Sequence, residues 1–273
     1  MHYIAGIKCS KISKTHLRLI NNCCSPKFAP DLKTKLMTQY FITATGTDIG
    51  KTYITCSLIK SLIARNISVL GLKPIISGWE DYNDETDTCR ILAAMGRPFF
   101  PDDIDTISPW RFAAPLSPDM AAAKEGREIN FDTVVKFCNS AKALSEHLII
   151  EGVGGVMVPI NKEKTFLDLM QEVNLPAILV TGSYLGTISH TLTAINALKS
   201  RNIDIHKIII NESEGGVDLQ DTKNTLLNFT DSEIDILERN GELISDTLIQ
   251  SALPDFSNTC NDGIQKCSKK FAM

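Results

Sequence analysis

From residue 39 onward, short apolar runs alternate with segments whose apolar residues recur roughly every three to four positions. Residues 39–44 read as a strand, and over residues 51–65 Ile54, Leu58, Ile59, Leu62 and Ile63 fall on one helical face. A second strand is expected at 69–73 and helices at 84–95 and 131–147. Residues 148–151, 177–181 and 207–211 are continuous apolar runs of the kind buried on both faces. Helical periods follow the last two, at 187–200 and 218–228. Repeated strand–helix units predict an α/β fold, a doubly wound, mostly parallel sheet with helices on both faces, with ligands outside the carboxyl ends of its strands. Beyond Phe229 the pattern weakens, and residues 251–273 are polar, cysteine-bearing and without period, so poor order is expected there.

At 273 residues the chain can bury a sizeable core, and no internal repeat divides it. With 43% hydrophobic and 22% charged residues it has an ordinary composition, and no apolar run approaches the roughly 20 residues of a membrane span. The net charge of -4 hides an asymmetry: residues 1–36 hold seven Lys/Arg against one acid, Asp31, which leaves the remainder at -10. So acidic a body argues against broad nucleic-acid binding, and no membrane partner is expected. The basic segment ends near Pro26 and Pro30 and reads as an appendage, either an organelle presequence or the product of an upstream start codon. Cys23-Cys24-Ser25-Pro26 makes a poor amphipathic helix, which favours the second. Eight cysteines are scattered without CxxC spacing or a nearby His cluster, a pattern that fits free thiols in a reducing cytoplasm rather than zinc or disulfides. Cys56 sits in an apolar helical pattern and reads as core.

Between the first strand and the first helix lies Thr45-Gly46-Thr47-Asp48-Ile49-Gly50-Lys51-Thr52. In such a turn the backbone amides and the positive end of the helix converge on phosphate oxygens, a lysine reaches the outer phosphates, and a threonine hydroxyl can ligate magnesium. The usual spacing would place a glycine at Thr45. Such a P-loop needs carboxylates to hold the metal. Glu151 ends a buried strand before Gly152-Val153-Gly154-Gly155 and stands where a Walker-B acid would be. Asp87 is a second candidate, within an acidic cluster with Asp81, Asp84 and Glu85 that could also be an exposed turn. Lys73 ends the second strand before Pro74, so its ammonium should emerge at the edge that carries the P-loop, against the alternative of a solvated surface lysine.

Together these residues resemble the dethiobiotin synthetases, from about residue 39 to residue 211. The P-loop is similar to that family's Gly-Thr-x-Thr-x-Val-Gly-Lys-Thr, with Ala44 in place of the first glycine. Lys73-Pro74-Ile75-Ile76-Ser77-Gly78 resembles its Lys-Pro-x-x-Ser-Gly, Phe112-Ala113-Ala114-Pro115-Leu116-Ser117-Pro118 its Phe-x-x-Pro-x-Ser-Pro, and Glu151-Gly152-Val153-Gly154-Gly155 its Glu-Gly-x-Gly-Gly. The resemblance implies ATP- and Mg2+-dependent formation of dethiobiotin from diaminopelargonic acid and CO2. It implies Thr52, Asp87 and Glu151 as metal ligands, Lys51 at the transferring phosphoryl group, Lys73 and Ser77 at a carbamate, and Thr47 beside the reacting groups. ATP contacts are implied for Asp48, Ile49, Gly50, Tyr53, Gly152, Gly154 and Asn211, the last reading adenine. Gly154, Gly186, Thr187, Ile188 and Ser189 are implied at the substrate, with the helix start at 186–189 taking its carboxylate across a homodimer interface. His190 on its own reads as a surface or packing residue.

Departures from the family pattern are Asp119, where histidine often follows Ser-Pro, and Ser189, where asparagine is common. Nor is there a counterpart, after about Thr230, to the family's Pro-Trp segment near the base. The expected organisation is a basic appendage at 1–36, a P-loop domain at 37–235 and a divergent tail at 236–273. A partitioning ATPase switch of the same P-loop class is the principal rival. Such proteins carry an additional lysine near the start of the loop, where this chain has Gly46. An amide-forming ligase of the cobyrinate type would usually add a glutaminase domain that the length does not accommodate.

Overall fold

A computed structural model describes residues 37–81 and 83–239. The basic appendage and most of the tail, with the disorder expected of it, lie outside the described residues. The strands are β1 (Thr38–Ala44), β2 (Leu70–Leu72), β3 (Ile75–Ser77), β4 (Trp110–Phe112), β5 (His147–Glu151), β6 (Ala177–Gly182), β7 (Ile205–Asn211) and β8 (Ile234–Leu237). The helices are α1 (Lys51–Ala64), α2 (Asp87–Ala94), α3 (Pro101–Ile107), α4 (Pro118–Lys124), α5 (Phe131–Leu144), α6 (Phe166–Val173), α7 (Thr187–Ser200) and α8 (Leu219–Leu227). Six strands form one sheet in the order β2-β5-β1-β6-β7-β8, every pair parallel. Strands β3 and β4 make a separate parallel pair. Helices α1 and α5 pack on the sheet, as do α7 and α8.

The central strands are apolar throughout because both of their faces are covered: all six residues of β6 are buried, as are Leu148, Ile149, Ile150 and Glu151 of β5. Helix α1 buries Ile54, Leu58, Ile59 and Leu62, each worth about 1.5–3 kcal/mol relative to an exposed side chain. Ile63, expected on that face, is 40% exposed; Thr55 takes the buried place instead. The chain leaves β1 toward β2 on one side, whereas β6, on the other side of β1, leads to β7. This divergence opens a crevice at the carboxyl ends of β5, β1, β6 and β7, where Glu151, Ala44, Gly182 and Asn211 stand.

Several boundaries move. Helix α2 begins at Asp87, not at 84, because the Thr86 hydroxyl caps the Cys89 amide, while Asn83 accepts from the Glu85 amide in a preceding turn. Helix α5 stops at Leu144 rather than 147: Ser145 is extended, and the Glu146 carbonyl already accepts from the Thr38 amide. Strand β2 ends at Leu72, since the Lys73 amide leaves the sheet for the Ile107 carbonyl and Pro74 follows. Strand β8 corrects the expected domain limit at 235, which would cut it; Asn211 pairs with Leu237, so the sheet continues past the last strand expected from the sequence. Among the described residues no helix is long and apolar enough to cross a membrane. Cys56, Cys89 and Cys138 are free thiols, and burial pushes Cys56 and Cys138 up to about 12, so neither is a thiolate at neutral pH.

Candidate nucleotide and substrate site

The loop between β1 and α1 is shaped by Gly50, which precedes the helix with φ +99°, a conformation that disfavours any side chain. A Cβ there would lie 2.4 Å from the Asn211 Nδ2 atom. No side chain caps α1, so the amides of its first turn are available to a ligand. Lys51 folds back and donates from Nζ to the Gly46 carbonyl at 2.9 Å. It is only 6% exposed; burial, and then the nearby Lys73 ammonium, lower its pKa to about 8.

The lowered value puts the Lys51 ammonium close to losing its proton in mildly alkaline solution. A phosphate favours its charged form, so nucleotide affinity should be constant well below pH 8 and weaken as pH rises through about 8. At pH 8.5 ADP binding should take up a proton, which calorimetry in two buffers of different protonation enthalpy would register; binding without proton uptake would refute the assignment.

Beside the loop sits a charge cluster. Lys73 Nζ donates to Glu151 Oε1 at 2.6 Å and to Asp87 Oδ2 at 2.8 Å. Thr52 Oγ1 lies 2.8 Å from both Asp87 Oδ1 and Glu151 Oε1. The expected surface alternative for Lys73 is thereby set aside, for the residue is 3% exposed and Glu151 is completely buried. Asp87 is drawn out of the acidic turn into the site. Burial works against the Lys73 ammonium, but the Glu151 and Asp87 carboxylates outweigh it and hold its pKa above the ordinary lysine value. Burial likewise works against the Asp87 carboxylate, and Lys73 and Thr52 hold it below the ordinary range.

The cluster also fits a cation. The Thr52 hydroxyl has one proton and faces two carboxylate oxygens, so one of those contacts lacks a hydrogen. Glu151 Oε2 is buried without a hydrogen-bond partner. Both deficits would be met by a hard divalent ion held by oxygens, and magnesium typically takes only one or two carboxylates, the rest of its shell coming from phosphates and water. Among the described residues no group of three or more His, Cys, Asp or Glu side chains could hold a metal.

The loop after β5 packs against the end of β1 and the start of the phosphate loop. Gly152 packs where a Cβ would lie 3.2 Å from the Phe41 ring, and a Cβ on Gly155 would lie 3.2 Å from the Thr45 carbonyl. The Val156 amide donates to the Ala44 carbonyl, and the Thr47 hydroxyl lies 3.5 Å from where a Cβ on Gly154 would be. Ser77 ends β3 opposite Phe112 of β4, and the Gly78 amide donates to the Ala114 carbonyl. The small sheet therefore joins the Lys-Pro-x-x-Ser-Gly stretch to the Phe-x-x-Pro-x-Ser-Pro stretch. Asn211 Nδ2 donates to the Ile49 carbonyl at 2.9 Å, which ties it to the phosphate loop. Beyond it, a cavity of about 320 Å³ is lined by Glu212, Val217, Asp218, Ile236 and Glu238. Tyr53 and Asp48 are exposed.

Helix α7 repeats the geometry of α1: Gly186 precedes it with φ +99° and no side chain caps it. Ser189 is exposed and Ile188 half-buried. Thr187 is turned inward, its hydroxyl on the Gly182 carbonyl at 2.6 Å and its amide on the Tyr184 carbonyl. His190 accompanies the site from outside, its Nδ1 2.9 Å from the Tyr184 hydroxyl.

A parallel sheet with a glycine-bounded phosphate loop after β1 and an acid at the end of the neighbouring β5 defines a P-loop nucleotide-binding protein. The AAA domain family matches residues 38–243. The chain is 42% identical over 186 residues to the ATP-dependent dethiobiotin synthetase BioD of Methylobacterium nodulans, covering 66% of this chain and 83% of that protein. Against the enzyme of the same name from Caulobacter sp. strain K31, it is 37% identical over 227 residues, 80% of this chain and 97% of the relative. The chain belongs to the dethiobiotin synthetase family. Among solved structures, the MinC:MinD cell division protein complex of Aquifex aeolicus aligns at 17% identity and a TM-score of 0.47, over 76% of this chain and 84% of that one. Family membership carries the synthetase reading over the partitioning switch.

Proposed function

We propose that this chain forms dethiobiotin from 7,8-diaminopelargonic acid, CO2 and ATP, a cyclo-ligase step of biotin biosynthesis. The observation that carries the reading is the buried lysine at Lys73, whose ammonium lies beside the phosphate loop and the two carboxylates at once. One amine of the substrate adds to CO2 and loses a proton, giving a carbamate. A carbamate oxygen then attacks the γ-phosphorus and displaces ADP, which leaves a carbamic-phosphoric anhydride. The second amine attacks the anhydride carbon, closes the ureido ring and expels phosphate.

Each step gathers negative charge, so fixed cations and oriented donors are what the protein contributes. Lys51 and the open amides of α1 hold the transferring phosphoryl group; Thr47 stands beside it. Lys73 and Ser77 hold the carbamate. Thr52, Asp87 and Glu151 would hold Mg2+, which when bound neutralises charge on the β- and γ-phosphate oxygens. Lys51 and Lys73 are offset by Asp87 and Glu151, and an added divalent cation would match the phosphates that arrive with it. Asn211 reads the base, and the start of α7 takes the substrate's carboxylate through its backbone, since Thr187 has no free donor of its own. Leu185, next to Gly186, is 93% exposed, which favours a second copy covering the site in a homodimer. We place the enzyme in the cytoplasm, with small molecules rather than nucleic acid or membranes as its partners, and its catalytic unit from residue 37 through β8.

Phosphate release should require both the diamine and bicarbonate, with a product heavier than the diamine by one carbonyl group less two hydrogens on mass spectrometry. Release indifferent to the diamine would overturn the reading.

A further inference from the structure

The first residue of the phosphate loop and the first turn of α7 are joined through one buried side chain. Thr181, on β6, is wholly buried, as is Thr191, while Thr187 is 2% exposed. Thr181 Oγ1 lies 2.8 Å from Thr191 Oγ1, 2.9 Å from Thr187 Oγ1 and 3.2 Å from Thr45 Oγ1. Thr187 donates to the Gly182 carbonyl at 2.6 Å and Thr191 to the Thr187 carbonyl at 2.7 Å. Each hydroxyl has a single proton, so both helix threonines have spent theirs and can only accept from Thr181. If Thr181 donated to Thr45, neither helix contact would carry a hydrogen. Thr45 therefore donates to Thr181, and the single Thr181 proton goes to Thr187 or to Thr191, the other contact being an approach of two oxygens without a hydrogen between them. The Thr45 amide, bonded to the Val180 carbonyl at 3.0 Å, holds that residue beside β6 from the backbone side.

We infer that Thr181 is a positioning residue that sets the phosphate loop in register with the start of α7, and so fixes the separation between the phosphoryl donor and the anionic end of the acceptor substrate. The inference rests on the reading of the α7 start as the carboxylate site. It also gives a role to the threonine that stands at position 45 instead of the expected glycine, because a glycine there could not enter the chain. A purely structural hydroxyl would affect the amount of folded enzyme but not how the two ligands are spaced.

The test compares Thr181→Val, which keeps shape and removes the hydroxyl, with Thr181→Ser, which keeps the hydroxyl. Valine should raise KM for diaminopelargonic acid about tenfold, the effect of one ordinary uncharged hydrogen bond, with ADP affinity within twofold of the parent and serine restoring most of the loss. Amide hydrogen exchange should quicken in the valine variant at both residues 45–50 and residues 186–190, and in the serine variant at neither. That readout holds even if the parent enzyme ignores the diamine, an outcome that would strike the proposed reaction alone. A KM within twofold of the parent, a loss confined to kcat and Tm, or exchange that changes on one side only would each overturn the inference. Should Thr181→Val not fold, Thr45→Val, at the half-buried outer end of the chain, must show the same KM and exchange changes, and its failure to do so would be equally decisive.

Discussion

Replacing Lys73 with alanine should lower turnover about a thousandfold, the scale on which fixed charge-stabilising donors act, while nucleotide binding in the presence of magnesium is largely kept. The same substitution leaves the fully buried Glu151 carboxylate without its cation, and breaking one side of a buried pair costs about 3–5 kcal/mol. The metal-free variant should therefore melt well below the parent. Magnesium with ADP should return most of that stability, because a divalent ion supplies the missing positive charge, but should not return turnover. Recovery of turnover along with stability would reduce Lys73 to a structural counter-charge; loss of nucleotide binding even with magnesium present would make it a nucleotide or folding residue. The pH dependence has a definite sign. Lys73 is held above its ordinary value, so its contribution is complete below the normal lysine range and is lost only as pH rises through the raised value. Asp87 is held below the ordinary carboxylate range, so its contribution is present at neutral pH and is lost as pH falls through the lowered value. Over the physiological range the Lys73 ammonium and the Asp87 carboxylate both stay ionised, and Lys73 acts by charge and not by giving up a proton.

What the sequence made legible follows from what burial does to composition. Strands β1, β5, β6 and β7 were readable because covering both faces leaves continuous apolar runs, and α1 and α7 because their buried stripes recur with helical period. Three-residue strands such as β3 and β4 offer no alternation to detect, although they bring Ser77 to the Phe112 segment. Helices α3, α4 and α6 are only seven or eight residues long, too short for a stripe. For α6 a signal did exist: Thr165 and Asp168 form a capping box, a spacing visible in sequence. Strand β8 was missed because Asp235 interrupts its apolar run, and that acid is there to pair with the buried Lys207 of β7 at 2.8 Å. In the candidate site, loop, lysine and strand-ending acid were legible by position. The common grip of Lys73 and Thr52 on Asp87 and Glu151 was not, since it depends on β2 and β1 flanking β5 in space. Thr181 was invisible for a simpler reason: a threonine in an apolar strand looks like any other β-branched residue until its neighbours are known.

Glu151→Gln offers the sharpest separation of metal binding from charge balance. The glutamine matches the carboxylate in shape, so packing at this fully buried position is preserved. It cannot accept from Lys73 and Thr52 and also offer an anionic oxygen where Oε2 now stands without a partner. Magnesium affinity should fall at least 10–100-fold, and turnover at ordinary magnesium concentration by about two to three orders of magnitude. A second consequence is independent of the metal. Burial and Lys73 lower the Lys51 pKa, and Glu151 is the foremost charge opposing them. With that charge removed, Lys51 should lose its proton below pH 8, so the weakening of nucleotide affinity with rising pH should begin earlier in the variant than in the parent. Magnesium titrations of activity and the pH dependence of ADP affinity measured without metal would read the two effects separately. A variant with unaltered magnesium requirement would remove Glu151 from the ligand set; an unaltered pH dependence would mean that Lys51 answers to groups other than this carboxylate.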